Sequence, residues 1–316
     1  MLDRSNAADP LSDILSLLKP RNVACGAVDA GEACITFPAS REMKCHAVTA
    51  GDAWLTMGGV ADPLHLEAGD CLILAHGHAY ALASDPSLSP VDYRVVLEGQ
   101  APGRVTMWNG GGRATIVSAT FTIEERHGNM LRDILPAVAH VREDTGRPGL
   151  GRSLQQMMDE FGEQQPGSRM IIEHLATLVL AQVLRAYALR GEADQIGWLF
   201  ALANRQIGTA IAALHADPAH RWTVLALAER AGMSRTGFAV RFRRSVGVAP
   251  MQYLRRLRML LASDRLSNSD DAINVVADAF GYESESAFSN AFKRHLGISP
   301  RRFGKNGGIA VNDQPR

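Results

Sequence analysis

"GYESESAFSNAFKRHLGISP", residues 281–300, has an earlier counterpart in "GMSRTGFAVRFRRSVGVAP", residues 232–250. Gly232 answers Gly281, Phe238 answers Phe288, Phe242 answers Phe292, Gly247 answers Gly297 and Pro250 answers Pro300. An apolar segment precedes each copy: Leu225, Leu227 and Ala228 before the first, Val275, Val276 and Ala277 before the second. Each copy therefore predicts helix, tight turn, helix. The turn needs a residue tolerant of positive φ, which Gly supplies. An Ala four residues before that Gly lets the two helices cross closely, and Ser234 or Ser284 caps the second helix. This is a helix-turn-helix in sequence form. The second turn is one residue longer, with Glu283 inserted.

Phe238 and Phe242 share one face of their helix, as do Phe288 and Phe292, and both pairs should bury against the first helix of their unit. The opposite face carries Thr236, Ala239, Val240 and Arg243 in copy one, and Ser286, Ser289, Asn290 and Lys293 in copy two. A small, polar or basic outer face suits the DNA major groove. Arg235, Arg241, Arg244, Arg294 and His295 flank it within reach of phosphates. A single helix, "PMQYLRRLRMLLASDRL", joins the copies. A rigid pair would read two successive major grooves, about 34 Å apart on one side of B-DNA.

Charge points the same way. The 316 residues carry no net charge, but residues 1–203 hold 16 Lys/Arg against 24 Asp/Glu, and residues 204–316 hold 17 against 9. A polyanion partner is expected for the back of the chain only. The N-terminus lacks a charged-then-apolar leader, so secretion is not expected. The apolar run "MIIEHLATLVLAQVLRAYAL", residues 170–189, is broken by Glu173, His174 and Arg185, which favours a buried helix over a membrane span. Cys25, Cys34, Cys45 and Cys71 form no C-x-x-C pair and read as reduced core thiols of a cytoplasmic protein.

From about 22 to 122, short apolar runs alternate with Gly, Pro and Asp: "ACITF", "CHAVTAG", "AWLTMGG", "PLHLEAGDCLILA", "HAYALAS", "YRVVLEG", "ATIVSATFTI". Closely spaced short strands predict a barrel or sandwich. From about 128 the period turns helical, with Leu131, Ile134, Leu135 and Val138, then Leu154, Met157, Met158 and Phe161. Ser168 to Arg190 predicts a long helix apolar on more than one face, a candidate dimer contact. Beyond 204, helices are expected near 204–216, 223–231, 234–246, 250–266, 271–280, 284–296 and 299–304.

The paired unit closely resembles the DNA-binding domain of AraC/XylS-type transcriptional regulators. The resemblance covers residues 204–303 and is strongest in "GYESESAFSNAFKRHLGISPRRF". It implies that the second helix of each copy is a recognition helix. The DNA-contacting positions are then Arg235, Thr236, Ala239, Val240, Arg243 and Arg244 in copy one. In copy two they are Ser284, Ser286, Ser289, Asn290, Lys293 and Arg294. The short or apolar Thr236, Ala239 and Val240 depart from the longer polar residues better-studied members carry there; Asn290 is the best single candidate for reading an adenine. Family members are commonly activators, which brings in RNA polymerase as a partner.

"CHAVTAGDAWLTMGGVADPLHLEAGDCLILAHGHAYALASD" is similar to the cupin-type sensor domain often fused to such units. Enzymatic cupins hold a metal through a His-x-His pair, a Glu and a later His. Here only His46 stands at the first position, and Tyr80 occupies the later one. His76 and His78 are two apart and could chelate together from one strand face, but no metal or other cofactor is expected. A small barrel can enclose a ligand, and His46, Trp54, Met57 and Tyr80 are the candidate lining.

The fold expected is α+β and multidomain. Residues 1–130 form a cupin-like barrel, 131–203 a helical linker and dimerisation region, 204–304 a DNA-binding domain with two helix-turn-helix motifs, and 305–316 a loose tail. The expected function is a non-enzymatic, dimeric, cytoplasmic regulator without membrane attachment. It binds double-stranded DNA and responds to an unidentified small molecule. Two alternatives stay open: a metal-dependent cupin enzyme, and a regulator with no effector.

Overall fold

The computed structural model describes residues 9–59, 62–98, 103–123, 137–142, 148–189, 201–202 and 204–305. Contacts divide the chain into two compact units, one of Lys19–Arg190 and one of Met1–Leu18 with Gly191–Arg316.

The first unit is organised by one strand. β3 (Met43–Met57) is long enough to serve two sets of partners. Its first half lies between β9 (Ala114–Thr122) and β5 (Cys71–Leu74), and its second half between β6 (Tyr80–Ala83) and β4 (Leu64–Glu67). A register shift between Val48 and Ala50 bends the strand where it changes partners. The curled sheet runs β7 (Pro90–Asp92), β2 (Cys34–Phe37), β6, β3, β9, β1 (Arg21–Ala30), β8 (Val105–Trp108), and β10 (Val138–Val141) pairs with β5. Alternation on β3 turns Leu55 and Met57 inward, onto Val48, Leu66, Leu72 and Leu82.

Two sequence expectations fail here. "YRVVLEG" reads as a strand, yet Tyr93–Leu97 is a short helix, α2. Asp92 decides it: its carboxylate accepts from the Arg94 backbone N–H at 2.9 Å and pairs with the Arg94 guanidinium at 2.7 Å. Val138 falls at helical spacing in the sequence but lies in β10, paired with Leu74; Leu131, Ile134 and Leu135 lie outside the described residues. The helical layer is α3 (Pro148–Glu163) and α4 (Ser168–Ala188), which pack on each other, α4 also lying on β1, β5 and β10. Ile172, Leu175, Val179, Leu180, Val183 and Leu184 bury one face of α4, while Met170, Ile171 and Leu178 stay exposed.

The second unit is helical: α1 (Pro10–Leu18), α5 (Arg205–Ala216), α6 (Val224–Arg230), α7 (Arg235–Val246), α8 (Pro250–Asn268), α9 (Ile273–Ala279), α10 (Glu285–Leu296) and α11 (Pro300–Lys305). The repeat is kept in atomic detail. Met233 N–H bonds Ala228 O at 2.9 Å, and Tyr282 N–H bonds Ala277 O at 3.0 Å, closing the two turns alike. Ser234 Oγ accepts from Gly237 N–H, and Ser284 Oγ from Ala287 N–H. The Phe238–Phe242 and Phe288–Phe292 rings are each 5.5 Å apart, and all four are fully buried. The repeat extends further than the sequence reading took it, because Tyr253 packs edge-on to Phe242 as Phe303 packs edge-on to Phe292.

α1 belongs to this unit, although the sequence reading placed its residues with the barrel. Ile14 and Leu17 are buried, and α1 packs on α5 and α8. Asp13 pairs with His215 at 3.2 Å, and the other ring nitrogen of His215 pairs with Tyr253 Oη at 2.7 Å. Phe303, the counterpart of Tyr253, carries no hydroxyl that could form this bond.

The two turn glycines face different surroundings. Both have positive φ, 64° at Gly232 and 73° at Gly281. A Cβ at Gly232 would meet open space, whereas one at Gly281 would drive into the backbone carbonyl of Ala219. Gly232→Ala should therefore cost only the left-handed strain of about 1–2 kcal/mol. Gly281→Ala should cost clearly more, as read by chemical denaturation of the two variants in parallel.

Candidate nucleic-acid interface and barrel cavity

With their Phe pairs buried, α7 and α10 turn the opposite faces to solvent. On α7, Arg235, Thr236, Arg243 and Arg244 are exposed, Val240 is 65% exposed and Ala239 half-buried. On α10, Ser286, Asn290, Lys293 and Arg294 are exposed and Ser289 is half-buried; Ser284 is exposed with its oxygen engaged as the helix cap. The face of α7 thus presents a methyl-rich surface edged by guanidinium groups, and that of α10 an amide and an ammonium. Arg241, one of the flanking arginines, is exposed and donates to Gln206 Oε1 at 2.9 Å, tying α7 to α5.

What holds the two faces in register was missed in the sequence. Arg258, midway along α8, donates from Nε to Pro218 O at 2.6 Å and from Nη2 to Ala219 O at 3.2 Å and His220 O at 2.9 Å. Its guanidinium lies 6.0 Å from the centre of the Tyr282 ring, in the turn of the second unit. Burial draws its pKa down, opposed by Tyr282 and Asp217. One side chain therefore fastens the loop before α6, the connecting helix and the turn before α10. Arg221 and Glu283 add an exposed ion pair at 3.1 Å. The only trace of this in the sequence is an arginine between the apolar Leu257 and Met259, which spacing alone cannot distinguish from a solvated one. Glu283, read as a bare insertion, has a partner.

In the barrel, His46 and Tyr80 come together. His46 pairs through Nε2 with Tyr80 Oη at 2.7 Å and through Nδ1 with Ser118 Oγ at 2.8 Å. These three groups form the polar end of a cavity of about 200 Å³ whose other walls include Val28, Ile35, Phe37, Tyr93 and Val96. Phe37 is stacked between Tyr80 and Tyr93, with ring centres 4.7 and 5.3 Å away. Lys44, also on the wall, is engaged by Glu42 at 2.6 Å and Thr120 at 3.2 Å. Burial, with a lesser contribution from Lys44, pushes the His46 pKa down to about 3, so the ring is neutral. Met57 lines a separate, open depression that shares Phe37 and Tyr80. Trp54 lines neither, and its grouping with Met57 has to be corrected: the two sit on opposite faces of β3, and Trp54 packs outward on His65, ring centres 4.5 Å apart.

His76 and His78 have ring centres 6.3 Å apart, and among the described residues no group of three or more His, Cys, Asp or Glu could hold a metal ion. All four cysteines are free; burial lifts the thiol pKa to about 11 at Cys25 and about 12 at Cys45, and raises those of Cys34 and Cys71 as well.

A barrel with an internal cavity followed by paired helix-turn-helix units defines a DNA-binding regulator. A cupin family model matches residues 9–188, and a helix-turn-helix domain model matches residues 227–306. A Streptomyces lividans protein described as an AraC-like transcription regulator is 36% identical over 300 residues, covering 94% of this chain and 98% of its own length. The transcriptional regulator AlkR of Acinetobacter baylyi is 30% identical over 243 residues, 75% of this chain and 79% of its own. Among solved structures, the DNA-binding domain of AdpA in complex with a target DNA is 35% identical and covers 32% of this chain and 91% of its own, with a TM-score of 0.31. The chain belongs to the AraC family of transcriptional regulators.

A buried neutral imidazole has a pH consequence. With its folded-state pKa below that of the unfolded chain, His46 contributes stability that is fully present above about pH 6.5 and is lost as pH falls toward 3. The loss approaches ~1.4 kcal/mol per pH unit at full slope. His46→Gln should lose less stability than the parent between pH 6.5 and 4.5 in denaturant titrations; equal losses would show that the ring is not held neutral.

Proposed function

We propose that this regulator reads two successive major grooves, with α7 in one and α10 in the next, and that a small molecule in the barrel modulates it. The observation that carries the reading is the Arg258 fastening: a half-buried guanidinium on the connecting helix holds the loop of the first unit and lies against Tyr282 of the second. α8, at 19 residues, spans about 28 Å at 1.5 Å per residue, a length suited to holding two helices one turn of DNA apart. Arg235, Thr236, Ala239, Val240, Arg243 and Arg244 would face the first groove. Ser284, Ser286, Ser289, Asn290, Lys293 and Arg294 would face the second. Exposed Val240 and Thr236 suit thymine methyls, and Asn290 suits an adenine edge.

The barrel cavity supports an effector of particular character: small, uncharged, with an apolar body against Phe37, Tyr93 and Val96 and one hydrogen-bonding group toward His46, Tyr80 and Ser118. A neutral imidazole and an already engaged Lys44 offer no unmatched charge for an ionic ligand. Binding at a hundred times Kd would stabilise the protein by about 2.7 kcal/mol, enough to be seen in a melt. Activation through RNA polymerase, dimerisation through the exposed Met170, Ile171 and Leu178 of α4, and residence in the cytoplasm complete the reading. A regulator without an effector is the second reading, favoured by how fully His46 is satisfied by protein partners.

Selection from a random DNA pool at near-physiological salt should recover two conserved blocks about one helical turn apart. Recovery of one block, or of none, would count against the two-groove reading. On the recovered site, Asn290→Ala should weaken binding by about 1–3 kcal/mol and relax preference at one position; unchanged preference would mean that Asn290 does not touch a base.

A further inference from the structure

A cleft of about 300 Å³ lies between α8 and α10, bordering the face that carries Asn290 and sharing Arg294 with it. Gln252, Arg255 and Arg256 line it from α8, Arg294 and His295 from α10, and Tyr282 from the turn. Arg255 and Arg294 are exposed to solvent, and no carboxylate among the described residues lines it. Gln252, Arg255, Arg256 and Met259 recur at helical spacing, so the basic edge of the connecting helix is built toward α10. Partial desolvation, and to a lesser degree the neighbouring Arg256, hold His295 below its ordinary pKa.

A helix seated in a major groove is bounded on both flanks by sugar–phosphate walls. We infer that this cleft, formed jointly by the connecting helix and the second recognition helix, seats a DNA backbone phosphate on the wall between the two grooves. The inference rests on the two-groove reading and assigns the basic edge of α8 a role that the recognition helices do not fill. The cleft takes a phosphodiester as an anion and reads no base. It contributes affinity common to all sequences and fixes the depth at which α10 sits.

The test uses the full chain and its selected site. Arg255→Gln combined with Arg256→Gln should weaken binding roughly tenfold to a hundredfold at 0.1 M salt. It should act equally on specific and unrelated duplexes, with the slope of log K against log salt reduced by about 1–2. Replacing single phosphates between the two blocks by neutral methylphosphonates should identify one position that weakens the parent protein, and that loss should shrink in the double variant. An unchanged salt slope, or a methylphosphonate loss that persists in full in the variant, would overturn the inference. So would the absence of any sensitive phosphate in the parent protein, a measurement that does not depend on the variant folding. A melting rise with pyrophosphate at matched ionic strength, lost in the variant while DNA binding is untouched, would reassign the cleft to a free anion. If the parent protein selects no two-block site, the two-groove reading fails first, and is seen to fail separately.

Discussion

A guanidinium withdrawn from water has to find acceptors or it destabilises whatever buries it. Arg258 finds three, all backbone carbonyls of the loop 218–220, and that requirement organises the DNA-binding unit. The loop is drawn onto the connecting helix, and Ala219 is thereby placed where only a glycine fits opposite it, at Gly281. The Tyr282 ring covers the cation from the other side. The aromatic pairs make each helix-turn-helix fold; Arg258 links the loop of the first to the turn of the second. The same residue that closes a loop in one half therefore packs on the turn that leads into α10 in the other.

The barrel follows a comparable logic with different chemistry. β3 spans both halves of the curled sheet, and its buried polar residue, His46, is satisfied at both nitrogens by groups from β9 and β6. A fully paired neutral imidazole can sit beside apolar walls without an ion opposite it, and so its end of the cavity is polar without charge, while Lys44 and Glu42 on the wall pair with each other.

Much of this was legible in the chain. Gly232 with Ser234, and Gly281 with Ser284, give the turns and caps because their chemistry is local, and the Phe spacing gives the buried faces because helical period is local too. Charge asymmetry pointed to the DNA-binding end. The failures share a cause. Asp92 capping α2, Val138 joining β5 and Trp54 turning away from Met57 depend on partners or parities that a run of apolar residues does not reveal. The docking of α1 through Asp13 and His215 links positions 202 residues apart, and Arg258 looks like any surface arginine. Long-range polar contacts leave little periodic trace.

The relation between α7 and α10 is the centre of the proposed reading, and operator spacing probes it most directly. A rigid pair predicts that inserting half a helical turn between the two blocks of the selected site drops affinity to that of a single block, because the second groove rotates to the far side of the duplex. Restoring a full turn should not recover it, since the connecting helix cannot lengthen. Affinity indifferent to the half-turn insertion would contradict a fixed pair and show two units that engage DNA independently.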